Sequence, residues 1–133
     1  MIQLPDTQGC DSGFDFLEVF IVELDFLKDG EKKAIRLFET RLRHIFSKRL
    51  IVLKIYGSIV REERWEESDL DILVLVRDLS WEEKRRVWNK ATNVNIECDT
   101  MISPLVLKPE EFQELRDRER RIALDIDREG ISL

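Results

Sequence analysis

The sequence is short of the residues that build a zinc centre, a disulfide framework or a membrane anchor. Its 133 residues include two cysteines, one histidine, five glycines and three prolines. Cys10 and Cys98 are too few and too far apart for a metal or disulfide framework, so a reducing setting is the default. No apolar run approaches the ~20 residues of a membrane span, and the first residues lack the basic start of a secretory signal. These absences predict a cytoplasmic protein.

Charged residues, in contrast, are abundant. They make up 38% of the chain against 43% hydrophobic residues, and the net charge is -6. An acidic chain is not expected to bind nucleic acid strongly over its whole surface, because the phosphate backbone selects for positive charge. The length suits one domain with a single hydrophobic core.

The hydrophobic pattern predicts alternating helices and strands. Residues 1–13 are predicted to be irregular, and the apolar segment 14–27 fits a helix or a strand, serving either as core packing or as a surface for a partner. We predict helices over 31–47, 81–92 and 109–129, and strands over 50–56, 69–76 and 95–102, with an edge strand at 131–133. This order predicts an α/β (α+β) fold in which helices flank a short mixed sheet. Residues 1–30 form an N-terminal extension to a domain over 31–133.

Two carboxylates stand at the start of the strand predicted over 69–76. Asp69 and Asp71 are separated by one residue, so a strand places both on one face, ~7 Å apart at the backbone. Mg²⁺ binds one or two carboxylates together with substrate phosphates, and paired metal ions can hold both oxygens of a phosphoryl displacement. The spacing therefore indicates a metal site that acts on a phosphate ester or anhydride.

A glycine and a serine at the end of the preceding strand complement the two acids. Gly57 lets a phosphate approach the backbone closely. A helical turn beginning at Ser58 would offer free N–H groups to an anion, and Arg61 lies one turn further on. The sequence thus places a candidate phosphate-binding corner before a candidate metal site, with ten residues between Ser58 and Asp69.

The stretch YGSIVREERWEESDLDILVLV, residues 56–76, resembles the signature of the polymerase-β-like nucleotidyltransferase superfamily. The short chain resembles the minimal nucleotidyltransferases of bacteria and archaea, with the similarity running from about residue 31 to the end. The resemblance implies that Gly57, Ser58 and Arg61 bind the triphosphate of ATP or another nucleotide. It also implies that Asp69 and Asp71 bind Mg²⁺, two ions in the usual arrangement, with Mn²⁺ as the alternative metal.

The resemblance further implies a third carboxylate from a neighbouring strand. On the strand predicted over 95–102, Asp99 is the expected third catalytic and metal-binding residue, and Glu97 on the same strand face is the alternative. The chain departs from the family pattern at Glu62, since members often have Arg-Gly where this chain has Arg61-Glu62. That departure makes the loop more negative near the expected phosphates.

The family's chemistry implies transfer of a nucleoside monophosphate, AMP from ATP, to a hydroxyl acceptor. Similar minimal proteins are often encoded beside a small helical HEPN-domain protein, and some act as antitoxins that transfer AMP to that partner. A HEPN-domain partner, and a homo- or hetero-oligomer, are therefore expected from the resemblance. The alternative is a non-catalytic nucleotide-binding or antitoxin module that acts by contact with its partner.

Overall fold

A computed structural model describes residues 26–61 and 69–133. In chain order its elements are helix α1 (Asp29–Phe46), a 3₁₀ turn (Ser47–Arg49), strands β1 (Leu50–Tyr56) and β2 (Leu70–Val76), helix α2 (Trp81–Cys98), strand β3 (Ile102–Leu107), helices α3 (Pro109–Asp117) and α4 (Arg121–Glu129), and strand β4 (Ile131–Ser132). The predicted fold of helices around a short mixed sheet is confirmed. None of the described helices is long and apolar enough to cross a membrane.

The four strands form one sheet in the order β3-β2-β1-β4. β1 pairs antiparallel with β2 and β4, whereas β2 and β3 are parallel and joined through α2. Every residue of β2 from Ile72 to Val76 is buried, as expected of a strand with a layer of helices on each face. β2 is one of the two inner strands of the sheet.

The sheet is covered on both faces. On one face α1 and α2 pack against a large hydrophobic cluster that includes Phe38, Ile55 and Ile72. On the other, α3 and α4 supply Phe112 and Ile126 to a smaller cluster that includes alternate β2 residues. Because strand side chains alternate between faces, the odd-numbered residues of β2, Asp71 included, face the α3–α4 layer.

The strand predicted over 95–102 is wrong. α2 continues to Cys98, and β3 begins only at Ile102. The junction is held by Asn95, whose side-chain oxygen accepts the N–H of Ile102 at 2.7 Å and whose amide donates to the carbonyl of the same residue at 3.1 Å. Asp99 closes the helix in the left-handed conformation at φ 54°. The side chain of Asn95, in the last turn of α2, therefore fixes the point at which β3 begins. The period of apolar residues does not reveal such an interaction.

Replacing Asn95 by alanine is expected to lower the free energy of unfolding by ~2–3 kcal/mol. The change leaves the N–H and C=O groups of Ile102 without their side-chain partner, and each partly buried group that loses its partner costs ~1–3 kcal/mol. Urea unfolding monitored by circular dichroism would measure the loss. Asn93→Ala, an exposed position in the same helix, serves as the matched control and should change stability by less than ~0.5 kcal/mol.

The single helix predicted over 109–129 is divided into two. α3 ends at Asp117, Glu119 takes the left-handed conformation at φ 53°, and α4 begins at Arg121. The N–H of Arg120 donates to the carbonyl of Leu115 at 2.9 Å, which closes the end of α3. An unbroken helix would place the Glu119 carboxylate on its apolar side, and the turn avoids that burial. Ile122, the second residue of α4, is 39% exposed.

An ion pair joins the start of β1 to the start of α2. Arg49 donates to both carboxylate oxygens of Glu83, at 2.8 and 2.9 Å, and also to the backbone carbonyls of Arg77 and Asp78. The hydrogen bond from Arg49, followed by one from the backbone of Ser80, lowers the pKa of Glu83 to about 2 from an ordinary 4.5. The stabilisation is thus fully present above pH 4.5 and is lost as the pH falls towards 2.

We expect Glu83→Gln to lower the free energy of unfolding by ~1 kcal/mol at neutral pH, a modest value because solvent partly screens the pair. The difference from the wild type should shrink between pH 4.5 and 2, as the wild-type carboxyl becomes protonated. Denaturant titrations across this range would show it. Glu39→Gln, which breaks a surface pair with Arg43, should give a smaller difference; an equal one would contradict the special role of the Arg49–Glu83 pair.

Candidate active site

The predicted phosphate-binding corner is a single tight turn at the end of β1. Gly57 has a φ of +90°, and its carbonyl accepts the N–H groups of Val60 at 3.0 Å and Arg61 at 3.3 Å. Ile59 is buried in the larger cluster and anchors the turn, while Ser58 is half-buried. The expected helical turn after Gly57 is therefore present. Residues 62–68, which include Glu62 and Trp65, lie outside the described part of the chain.

The two predicted metal ligands lie at the start of β2. Asp71 is half-buried and Asp69, one residue before the strand, is exposed. In the sheet, Asp71 stands opposite Tyr56 of β1 and opposite Ser103 of β3. Tyr56 belongs with the smaller cluster, so these residues form a row on the α3–α4 face, and Asp71 is at its centre.

The corner and the acidic pair are in direct contact. A Cβ atom placed on Gly57 would lie 2.5 Å from Oδ2 of Asp71, closer than any side chain tolerates. The Asp71 carboxylate thus occupies the space that only a glycine leaves empty. The spacing between Gly57 and Asp71 in the sequence therefore corresponds to contact across the β1–β2 pair, and the two halves of the motif form one site.

The surroundings of Asp71 make its negative charge unfavourable. Burial raises the pKa of Asp71 above its ordinary value, the neighbouring Asp69 raises it further, and Arg61 opposes both. Burial, followed by the charge of Asp71, raises the pKa of Tyr56 to about 12, so the phenol remains protonated at neutral pH. A divalent cation would relieve the repulsion between the two carboxylates.

Arg61 has a carboxylate partner that the sequence did not suggest. Its guanidinium donates to Glu129 at 2.6 Å, and the Glu129 side chain is only 13% exposed. Glu129 is the last residue of α4 and is 68 positions away in the chain. The pair links the turn after β1 to the α3–α4 layer, and no local pattern could have indicated it.

The residues proposed for a third carboxylate do not lie on a strand of the sheet. Asp99 is the exposed C-cap residue that follows α2. Glu97 lies within α2 and forms a salt bridge with Arg41 at 3.0 Å. All six residues of β3 are described, and none is acidic; Ser103 is the one opposite Asp71. Within the described ranges, no group of three His, Cys, Asp or Glu side chains could hold a metal ion. The structural premise for Asp99 is wrong, and its catalytic role stays a prediction.

The family model for the polymerase beta nucleotidyltransferase domain matches residues 40–133. This span includes the Gly57 turn and both β2 carboxylates. The chain belongs to this family. A Methanocaldococcus jannaschii protein, provisionally named a protein adenylyltransferase, is 31% identical over 77 residues, which cover 57% of this chain and 78% of the relative.

Two solved structures are also similar to the chain. One is a crystal structure of a toxin–antitoxin with AMP-PNP, with a TM-score of 0.49 and 19% identity over 71% of this chain and 68% of that one. The other is a mutant of the MntA–HpeT toxin–antitoxin, with a TM-score of 0.47 and 18% identity over 70% and 66% of the two chains. At this level of similarity neither structure bears on the substrate or partners of this protein.

Proposed function

We propose that this protein is a Mg²⁺-dependent nucleotidyltransferase that transfers AMP from ATP to a hydroxyl group, with release of pyrophosphate. The observation that carries the proposal is the contact between Gly57 and Asp71, which joins a phosphate-binding turn to a pair of carboxylates. Family membership supports the reaction class, and the name of the archaeal relative supports AMP as the transferred group.

The residues of the site suit a bound Mg²⁺. Asp71 in β2 and Asp69 immediately before it supply hard oxygen ligands, the donor set that Mg²⁺ combines with substrate phosphates. When bound, the ion neutralises charge on the phosphates and lowers the pKa of the attacking hydroxyl. Carboxylates that repel each other in the free protein would bind such a cation with relief of that repulsion.

The remaining residues of the site bind and orient the nucleotide. The first N–H groups of the turn after Gly57 and the hydroxyl of Ser58 can donate to the β- and γ-phosphates, as backbone amides do at helix starts. Arg61 brings positive charge to the same side, with Glu129 holding its guanidinium in place. The buried part of β2 fixes the carboxylates, so the protein's contribution is orientation and charge stabilisation.

For the acceptor we propose a hydroxyl on a partner protein. The relative's provisional name describes a protein as the substrate of adenylyl transfer. The resemblance to minimal nucleotidyltransferases points to a HEPN-domain toxin as that partner, in which case the chain is the antitoxin of the pair.

A second function is favoured by one specific observation. The described residues include no group of three His, Cys, Asp or Glu side chains that could hold a metal ion, and Ser103 stands at the position on β3 that faces Asp71. A site with two carboxylates can bind Mg-ATP without transferring it. The alternative is therefore a nucleotide-binding module that neutralises its partner by contact.

Labelled ATP separates these functions. With Mg²⁺ and the co-encoded partner present, label on the α-phosphate of ATP should appear on the partner, and label on the γ-phosphate should appear only in pyrophosphate. Chelation of the metal with EDTA should stop both. Transfer of the γ-label would identify a kinase instead. Neutralisation of the partner with no covalent label from either position would establish the contact mechanism and overturn the enzyme.

A further inference from the structure

The outward face of α2 carries a stripe of exposed apolar side chains. Trp81 is 63% exposed, Trp88 38% and Ile96 76%, and their spacings of seven and eight residues place them along one side of the helix. The two tryptophans meet edge to face, with ring centroids 5.7 Å apart. The buried residues of α2 are Val87, Ala91 and Val94, so the stripe is separate from the side of the helix that faces the core. A stripe of this length is typical of a covered surface.

Basic residues border this stripe. Lys84 lies over the Trp88 ring at 5.8 Å, and the exposed Arg85 lies one turn before Trp88 on the same side of the helix. Within residues 26–61 and 69–133, neither of these two side chains forms a salt bridge with a carboxylate. The arginines of the α3–α4 layer differ, because each of the following is paired with a nearby acid: Arg116, Arg118, Arg121 and Arg128. The α2 stripe is thus apolar and flanked by two basic side chains that form no salt bridge with a described carboxylate.

The complementary composition lies in the first 25 residues of the same chain. They include six carboxylates and neither a lysine nor an arginine. Residues 14–25 consist of eight apolar residues and four acids: Asp15, Glu18, Glu23 and Asp25. An apolar and acidic segment matches an apolar and basic surface in both properties.

The segment also joins the structure beside this surface. Phe26 and Leu27 pack on the larger core cluster immediately before α1. A Cβ atom on Gly30, in the first turn of α1, would lie 3.9 Å from the backbone oxygen of Cys98, the last residue of α2. Twelve residues span ~18 Å as a helix or ~40 Å as a strand, whereas Ile96 and Trp88 are ~12 Å apart along α2. The segment therefore reaches the stripe in either conformation.

We propose that residues 14–25 dock on the α2 stripe of the same molecule, with the acids beside Lys84 and Arg85 and the apolar residues over Trp88 and Ile96. The short connection to α1 gives the segment a high effective concentration at this surface, which favours it over the same segment of a second copy. The stripe is then the place where the N-terminal extension completes the domain. This inference is independent of the proposed enzymatic activity.

Hydrogen–deuterium exchange of the full chain tests the proposal. In the wild type, amides of residues 14–25 should exchange at least about tenfold more slowly than the same residues in the unfolded chain. Arg85→Glu should speed their exchange by about tenfold, and Trp88→Ser should do the same, while amides of β1 and β2 are unchanged. Arg85 is exposed, so its substitution does not threaten the fold.

Arg118→Glu is the matched control, since it reverses the charge of an exposed arginine on the other layer and should leave residues 14–25 unaffected. Three results would overturn the proposal. One is wild-type exchange in residues 14–25 as fast as in the unfolded chain. Another is protection that Arg85→Glu and Trp88→Ser both leave intact. The third is protection that disappears on dilution, which would assign the stripe to the segment of a second copy.

Discussion

Asp69→Asn and Asp71→Asn are each expected to reduce AMP transfer by at least about a thousandfold, because asparagine keeps the size of the side chain but removes the charge that Mg²⁺ requires. The initial rate of label transfer at saturating ATP measures the effect. The same variants should lose stabilisation by Mg-ATP in thermal unfolding. Asp117→Asn, which changes an exposed acid that accepts from Gln113, is the matched control and should retain full activity.

The stability of the metal-free protein should change in the opposite direction. The pKa of Asp71 is raised by burial and by Asp69, so the ionised group destabilises the fold at neutral pH. That cost declines as the pH falls and the carboxyl is protonated. Asp71→Asn should therefore raise the Tm of the metal-free protein, which thermal unfolding would measure. A variant with lower activity and lower Tm would indicate a damaged fold.

Asp99→Asn tests the third acid separately. Asparagine tolerates the left-handed conformation of the α2 terminus as well as aspartate does, so the substitution removes only a charge. Full activity would exclude Asp99 as the third catalytic carboxylate. A loss comparable to that of Asp71→Asn would give Asp99 the catalytic role that the family resemblance implies, despite its position on a helix terminus.

Structural features that depend on residues close together in the chain were predictable from the sequence. The boundaries of β1 and β2, and the buried face of α1, follow from the period of apolar residues. The meeting of Gly57 with Asp71 also follows, because a glycine at the end of one strand and acids at the start of its antiparallel neighbour must lie together. These features depend on residues close to each other in the chain.

Features that depend on distant or side-chain contacts were missed. The start of β3 depends on Asn95, a residue seven positions earlier that bonds to the backbone of Ile102. The β-branched residues Val94 and Ile96 favour a strand, but in the structure both belong to α2. The Arg61–Glu129 pair spans half the chain. The period of apolar residues indicates which side chains are buried. It does not indicate which polar groups form hydrogen bonds or ion pairs with each other.

Gly57→Ala is expected to damage both activity and stability. An L-residue at φ +90° is strained by ~1–2 kcal/mol, and the new Cβ would lie 2.5 Å from Oδ2 of Asp71. The carboxylate must move, and a displacement of ~1 Å in a catalytic group costs about a hundredfold in rate. Gly30→Ala is the matched control, since its Cβ meets only Cys98 O at 3.9 Å and alanine favours the helix by ~0.5–1 kcal/mol.

A double-mutant cycle separates the two costs of Gly57→Ala. In an Asp71→Ala background the clash is absent, so the glycine substitution should cost only the backbone strain, ~1–2 kcal/mol of unfolding free energy. In the wild-type background it should cost more, and the difference between the two is the coupling between turn and carboxylate. Equal costs in both backgrounds would show that Gly57 serves the turn alone. A positive coupling would establish that the glycine is required to seat Asp71, and hence that the turn and the acidic pair function as one site.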